Sequence, residues 1–113
     1  MPDARRFLPL KQAHYLILLC LARTELHGYG LKKAIAKRTE GRVVLGAGSL
    51  YRSLQQLTDR GLIEPSDAPV DPDLDDERRS YFRLTDLGRA AAEAETERLA
   101  ALVAGARAIG LGG

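Results

Sequence analysis

The chain has 113 residues, the length of one domain with one hydrophobic core. Apolar residues make up 45% of it and charged residues 28%, which is ordinary for a soluble globular protein. The longest apolar run covers residues 15–22, which excludes a membrane-spanning helix. A single cysteine excludes an internal disulfide, so we expect a cytoplasmic protein with Cys20 as a buried structural thiol.

Charge is divided unevenly along the chain. Residues 1–63 contain eleven Lys and Arg against four acidic residues, whereas residues 64–113 contain six against eleven. An anionic partner is therefore expected for the first part only, and nucleic acid is the obvious candidate.

Residues 1–9 contain two prolines and little periodicity, and we interpret them as a flexible arm. A first helix is predicted from about residue 10 to residue 22. Its residues 16–21 leave almost no polar face, so the helix must be covered on most sides, most easily with help from a second subunit. His14 is expected at the helix surface or in that seam.

A second helix is predicted over residues 29–39. Lys32, Lys33 and Lys37 point away from its apolar face, where they can lie along a phosphate backbone or simply be solvated. The sequence leaves both interpretations open. Residues 41–48 then form a short strand or an extended link that includes Arg42.

A third, amphipathic helix follows this link. Leu50, Leu54 and Leu57 recur at helical spacing, Ser49 is placed to cap the first turn, and Gly61 is placed to end the helix. Arg and Gln make paired hydrogen bonds to base edges in the DNA major groove, so the polar face of this helix is a candidate for contact with DNA bases. That face holds Arg52, Gln55, Gln56 and Asp59.

The rest of the chain predicts a hairpin and one more helix. Short strands at residues 62–64 and 80–84 enclose a polar loop whose tip, residues 67–77, is strongly acidic. Thr85 caps a final helix that runs to about residue 108, and residues 110–113 form a frayed tail. The final helix carries an apolar stripe with no obvious core left to join.

Three helices followed by a two-stranded hairpin are the layout of a winged helix-turn-helix. The predicted fold is therefore mainly α, with a winged-helix domain at residues 10–84 and a dimerisation helix at residues 85–109. The first helix is expected to fill the dimer seam.

Five motifs together resemble the PadR family of bacterial transcriptional regulators. They are LILLCL at residues 16–21, HGYGL at 27–31, GSLYRSLQQL at 48–57, RGLIE at 60–64 and RRSYFRLTDLGR at 78–89. They fall in the family's order and spacing, and the chain is similar to its short form with a single C-terminal dimerisation helix.

The resemblance implies a homodimeric repressor that a small aromatic or hydrophobic effector relieves. It places Ser49, Tyr51, Arg52 and Gln55 at the DNA, and Arg78 and Arg79 on the wing. The acidic tip at residues 67–77 departs from the family pattern, because acidic side chains near phosphates lower DNA affinity.

The predicted partners are a near-palindromic operator in double-stranded DNA and a second copy of the chain, with no cofactor. The DNA-binding set is Lys32, Lys33, Lys37, Arg42, Ser49, Tyr51, Arg52, Gln55, Gln56, Arg78 and Arg79. The dimerisation set is Leu16, Leu19, Leu87, Ala91, Ala94, Arg98, Leu99, Leu102 and Ala106. An effector is expected near Tyr15, Leu99 and Val103.

Three other functions compete with DNA binding. An enzyme is disfavoured because the only histidines, His14 and His27, lie in separate elements without a nucleophile nearby. One Cys and two scattered His make a poor ligand set for a metal sensor. The remaining alternative is a winged-helix module that binds protein instead of DNA.

Overall fold

The computed structural model describes residues 3–66 and 81–112. The order of elements confirms a mainly helical winged-helix fold with a long last helix. The helices are α1 (Gln12–Leu21), α2 (Gly28–Arg38), α3 (Ala47–Asp59) and α4 (Asp86–Ala108), and the strands are β1 (Leu26–His27), β2 (Ile63–Ser66) and β3 (Tyr81–Leu84). Within the described residues, none of the helices combines the length and hydropathy that a membrane span requires.

The end of α3 follows the prediction and its start does not. Gly61 has φ +77°, and the amide of Leu62 donates to the carbonyl of Leu57 at 3.0 Å, which is the usual glycine-dependent helix stop. The helix begins at Ala47 after Gly46, and no side chain caps it. Ser49 therefore lies inside the first turn, and its assignment as the cap was wrong.

The sheet has one strand more than predicted. Its order is β1-β3-β2 with antiparallel pairing, and β3 lies in the middle. Ile63 pairs with Leu84 in the predicted hairpin, while Leu26 of β1 pairs with Phe82. The wing is thereby joined to the segment that leads directly into α2.

The start of α4 is fastened to the turn after α3. Thr85 caps the helix as predicted, because its Oγ1 accepts a hydrogen bond from the amide of Gly88 at 2.9 Å. The same hydroxyl donates to the carbonyl of Gly61 at 2.7 Å. At its other end, the amide of Leu111 donates to Ala106 at 2.9 Å, so part of the predicted frayed tail closes the helix.

The N-terminal segment packs against α4 instead of forming the predicted loose arm. Ala4–Phe7 form a short 3-10 helix whose first turn is capped by Asp3. The amide of Leu10 donates to the buried carboxylate of Glu95 at 2.5 Å. A polar anchor of this kind leaves no periodic signal in the sequence, which explains the incorrect expectation.

The core of the single chain already covers α1. Leu16, Ile17, Leu18 and Leu21 are all buried, and Ala91 of α4 is fully buried in the same cluster. These side chains are covered without the second subunit that was expected to help. Leu16 and Ala91, both predicted for dimerisation, lie in the chain's own core.

Candidate nucleic-acid interface

The outer face of α3 is a polar surface held by a buried apolar face. Leu50, Leu54 and Leu57 are buried, which fixes the direction of the opposite side of the helix. The exposed side chains of its first three turns include Ser49, Tyr51, Arg52 and Gln55. Four of the predicted DNA-binding residues are thus brought together on one helix face.

The N-terminal end of α3 is open. Leu50 makes the first helical hydrogen bond, to the carbonyl of Gly46, and no side chain caps the amides before it. A Cβ atom at Gly46 or Gly48 would meet nothing within 4 Å. Free amides and the positive end of the helix dipole suit a phosphate group at such a terminus.

Tyr51 lies beside the start of α2. A Cβ atom at Gly28 would stand 3.4 Å from the Tyr51 hydroxyl and 3.6 Å from its ring, so the ring covers the backbone there. The side chain is nevertheless 62% exposed. The ring therefore packs beside α2 while most of the residue stays open to solvent.

Gln56 does not share the outer face. Its side-chain oxygen lies 3.0 Å from Nε2 of His14, which is itself buried in α1. The expectations that His14 lies at the surface or in a seam and that Gln56 faces outward were both wrong. Burial lowers the pKa of His14, although the bond to Gln56 opposes this, so the imidazole is neutral near pH 7.

Cationic side chains of α2 and of the link between α2 and α3 add positive charge to this part of the chain. Lys33, Lys37 and Arg42 are exposed, while Lys32 is half-buried. The Lys33 ammonium lies 4.9 Å from the centre of the Tyr29 ring, within the range of a cation–π interaction. A phosphate contact from Lys33 would compete with that interaction.

The start of α2 carries an aromatic cluster that the sequence did not predict. His27 caps α2, because its Nδ1 accepts a hydrogen bond from the amide of Gly30 at 2.9 Å. Its ring stacks on Tyr29 at 6.5 Å and meets the edge of Tyr81 at 5.2 Å. The sequence held no signal for this cap, because histidine is not among the residues that usually cap helices.

Two further candidates, Arg78 and Arg79, lie outside the described residues. The same holds for the acidic tip at residues 67–77.

The family of this chain follows from its sequence. The profile of the transcriptional regulator PadR-like family matches residues 17–94, which span α1 to the middle of α4. The chain belongs to this family. It is therefore a transcriptional regulator with a winged-helix fold and not an enzyme.

Solved structures share the fold of this PadR-like chain. A transcriptional regulator from Clostridium thermocellum is 22% identical with a TM-score of 0.72, over 98% of this chain and 97% of that one. A PadR-like regulator from Bacillus cereus is also 22% identical with a TM-score of 0.72, over 88% and 92%. PadR of Bacillus subtilis, in complex with operator DNA, is 23% identical with a TM-score of 0.63, over 74% and 47%. Identities this low establish a common fold alone.

No functionally curated protein matches the PadR-like chain significantly. In the part of the chain that the structure describes, no three His, Cys, Asp or Glu side chains are grouped so that they could hold a metal ion.

The second half of α4 carries the uncovered part of the predicted dimerisation set. Leu102 is 58% exposed, Val103 is 48% exposed and Leu99 is half-buried. The other members outside the core are half-buried: Leu19, Leu87, Ala94, Arg98 and Ala106.

The predicted effector position lies where α1 meets this part of α4. The Tyr15 hydroxyl is 2.7 Å from Oγ1 of Thr96, and either atom can donate. One cavity of about 380 Å³ near this contact is lined instead by residues that include Leu19, Ala92 and Thr96. Tyr15 thus contacts one residue that lines this cavity, and Tyr15, Leu99 and Val103 are not among the lining residues.

Proposed function

We propose that this PadR-like regulator is a homodimer that binds a near-palindromic operator in double-stranded DNA and represses transcription until a small effector binds. The observation that carries the proposal is the outer face of α3, where Arg52 and Gln55 are exposed beside an uncapped helix terminus. The operator complex of the B. subtilis PadR, which shares this fold, supports DNA as the partner.

Arg52 and Gln55 are proposed to contact base edges, because their side chains match guanine and adenine in the major groove. Gln55 also donates to the carboxylate of Asp59 at 2.8 Å, so this bond must open or be shared when a base is bound. Ser49 and Tyr51 are proposed to contact the DNA near the helix terminus. Gln56 is proposed to position α3 through His14 instead of reading a base.

Phosphate contacts are proposed for the cations outside α3. These contacts set the register of the protein on the duplex and carry no sequence information. The residues are Lys32, Lys33, Lys37 and Arg42, with Arg78 and Arg79 added on sequence grounds. 

Two α3 helices held by one dimer would enter successive major grooves about one helical turn apart. The exposed apolar side chains in the second half of α4 support a dimer formed by that helix. The small hydrophobic or aromatic effector is proposed to bind near Tyr15, Leu99 and Val103 and to favour a dimer geometry that does not fit the operator.

Fluorescence anisotropy tests the proposal by comparing binding to DNA from upstream of the protein's own gene with binding to random duplex. Sequence-selective binding should weaken steeply as salt rises, because phosphate contacts release counterions. Arg52→Ala should lower operator affinity about 5- to 150-fold and relax sequence preference, the equivalent of about 1–3 kcal/mol.

Lys33→Ala is the matched variant for phosphate contact. It should weaken binding to operator and random duplex equally and reduce the salt slope by about one. Equal binding of both variants and the parent to either DNA would refute these roles for α2 and α3. Flat curves from a folded parent dimer on every upstream fragment would favour the protein-binding alternative.

A further inference from the structure

A cavity of about 680 Å³ lies at the C-terminal ends of α1 and α2, beside β1. Its volume is within the range of small-molecule sites. Arg23, Lys37 and Arg38 are exposed at its rim, and none of the described residues that line it is acidic. No described carboxylate lies within ion-pair distance of these three cations.

Helix dipoles explain only part of this charge. Arg23 follows α1, and Lys37 and Arg38 stand in the last turn of α2, so all three offset the negative ends of these helices. Each helix end is equivalent to about half a negative charge. Three cations against two such ends leave a surplus of roughly two positive charges at one cavity.

The floor of the cavity is apolar. Cys20 is buried, while Leu26 and Ala34 are half-buried and pack on the core. Burial raises the pKa of the Cys20 thiol, and a hydrogen bond with the Arg38 guanidinium opposes this more weakly. The thiol is therefore neutral and adds no charge to the floor of the cavity.

The cavity is separated from the contact between α2 and Tyr51. That contact is at Gly28, the first residue of α2, while Lys37 and Arg38 are at the other end. Ten residues of α-helix correspond to about 15 Å. A small ligand in the cavity and a base contact near Tyr51 do not compete for the same space.

We propose that this cavity binds a small organic phosphate monoester, with the phosphate between Arg23 and Arg38 and an apolar body over Leu26 and Ala34. A phosphate monoester carries nearly two negative charges at neutral pH, which matches the surplus. Guanidinium groups bind phosphate oxygens in pairs, and Lys37 adds a point charge. Lys37 is also among the cations proposed to contact the DNA backbone, so the ligand and the operator would share this one side chain, whereas Arg23 and Arg38 are assigned to the cavity alone.

Isothermal titration calorimetry of the full chain with phenyl phosphate tests the site at pH 7.5. The expected result is saturable binding of one ligand per chain. Inorganic phosphate should bind more weakly than phenyl phosphate because it lacks the apolar body. Benzoate should also bind more weakly, because it carries only one charge. Benzyl alcohol, which carries no charge, should not bind. Equal affinity for inorganic phosphate and phenyl phosphate would overturn the proposal.

Charge variants locate the ligand. Arg38→Gln and Arg23→Gln should each lower the affinity for phenyl phosphate at least about tenfold. Arg38→Lys should recover part of the affinity that Arg38→Gln loses. Arg107→Gln removes an exposed cation from α4 and should change nothing. Circular-dichroism melting shows whether each variant is folded, and Ala34→Leu provides a second, uncharged way to block the floor.

Three results would overturn the site. The first is that Arg107→Gln loses as much affinity for phenyl phosphate as Arg38→Gln and Arg23→Gln. The second is that Ala34→Leu and both of those Gln variants bind phenyl phosphate like the parent. The third is that the folded parent does not bind phenyl phosphate. If the two Gln variants lost operator affinity while phenyl phosphate bound neither them nor the parent, these cations would belong to the DNA interface. The operator titration of the parent reports on the proposed function separately.

Discussion

The two halves of α4 have the same apolar periodicity and different surroundings. In the first half, Gly88, Ala91 and Ala92 are buried against the core of their own chain. In the second half, Leu102 and Val103 are exposed along the continuation of the same stripe. Because the first half is satisfied within its own chain, the proposed dimer is expected to use the second half of the helix.

Polar anchors distinguish the two halves. Thr85 fastens the start of α4 to Gly61, and Glu95 accepts hydrogen bonds from the Leu10 amide and the Arg98 guanidinium. Beyond Arg98, the described structure contains no such side-chain bond between α4 and the rest of the chain. The apolar stripe therefore defines a face, while the anchors define which part of that face is satisfied within one chain.

The largest effect is expected where α4 approaches the backbone most closely. A Cβ atom at Gly88 would lie 2.9 Å from the carbonyl carbon of Leu62 and closer still to its oxygen. Because backbone must move, Gly88→Ala should lower the free energy of unfolding by about 3 kcal/mol. Urea denaturation followed by circular dichroism measures this, and an unchanged midpoint would mean that α4 does not dock on Leu62.

Removing the buried carboxylate should have the next largest effect. Glu95→Ala leaves the Leu10 amide and the Arg98 guanidinium without their acceptor and should cost roughly 2 kcal/mol of stability. Glu97→Ala removes an exposed carboxylate two residues later and should stay within about 0.5 kcal/mol. Limited proteolysis should also cleave the N-terminal segment faster in Glu95→Ala alone. Equal stability of the two variants would contradict the anchor.

A substitution in the second half of α4 should change dimerisation and leave folding of the chain unchanged. Leu102→Asp places a charge on the exposed stripe, so the proposed dimer should weaken at least about tenfold while the helical circular-dichroism signal remains. Sedimentation at several concentrations measures the change. Ala101→Asp is the control, because Ala101 is exposed and lies about 150° around the helix from the midpoint between Leu102 and Val103. A Leu102→Asp protein as dimeric as the parent would place the interface elsewhere.

Local signals in the sequence were sufficient for some helix ends and not for others, as the start of α3 shows. Gly61 and Thr85 mark helix ends through their own backbone and side-chain chemistry, so both were predicted correctly. The two-residue strand at Leu26 was missed, because it exists only through pairing with Phe82 more than fifty residues later. Short strands of this kind have no periodicity to read.

The candidate site was predicted in part for a related reason. Periodicity separates the apolar face of α3 from the polar one, and it correctly predicted that Arg52 and Gln55 are exposed. It does not reveal what covers a side chain at the border of a face. Gln56 meets the buried His14, and Ala91 enters the core of its own chain, because of distant neighbours that periodicity cannot specify.

The smallest expected effect separates the two glycines of α4. A Cβ atom at Gly105 would meet nothing within 4 Å, in contrast to Gly88. Alanine in an open helix interior restricts the unfolded chain and favours the helix, so Gly105→Ala should stabilise by about 0.5–1 kcal/mol. The melting temperature should rise by roughly 2–6 °C.

Protein concentration makes this last variant informative about the interface. Gly105 lies about 60° around the helix from Leu102 and about 160° from Val103, at the border of the exposed stripe. If the interface is confined to that stripe, the gain should be the same in dilute and concentrated samples. A gain that disappears only at high concentration would mean that the backbone of Gly105 touches a second copy closely. The interface would then extend beyond the exposed stripe, and the second half of α4 would be as tightly packed in the dimer as the first half is in the single chain.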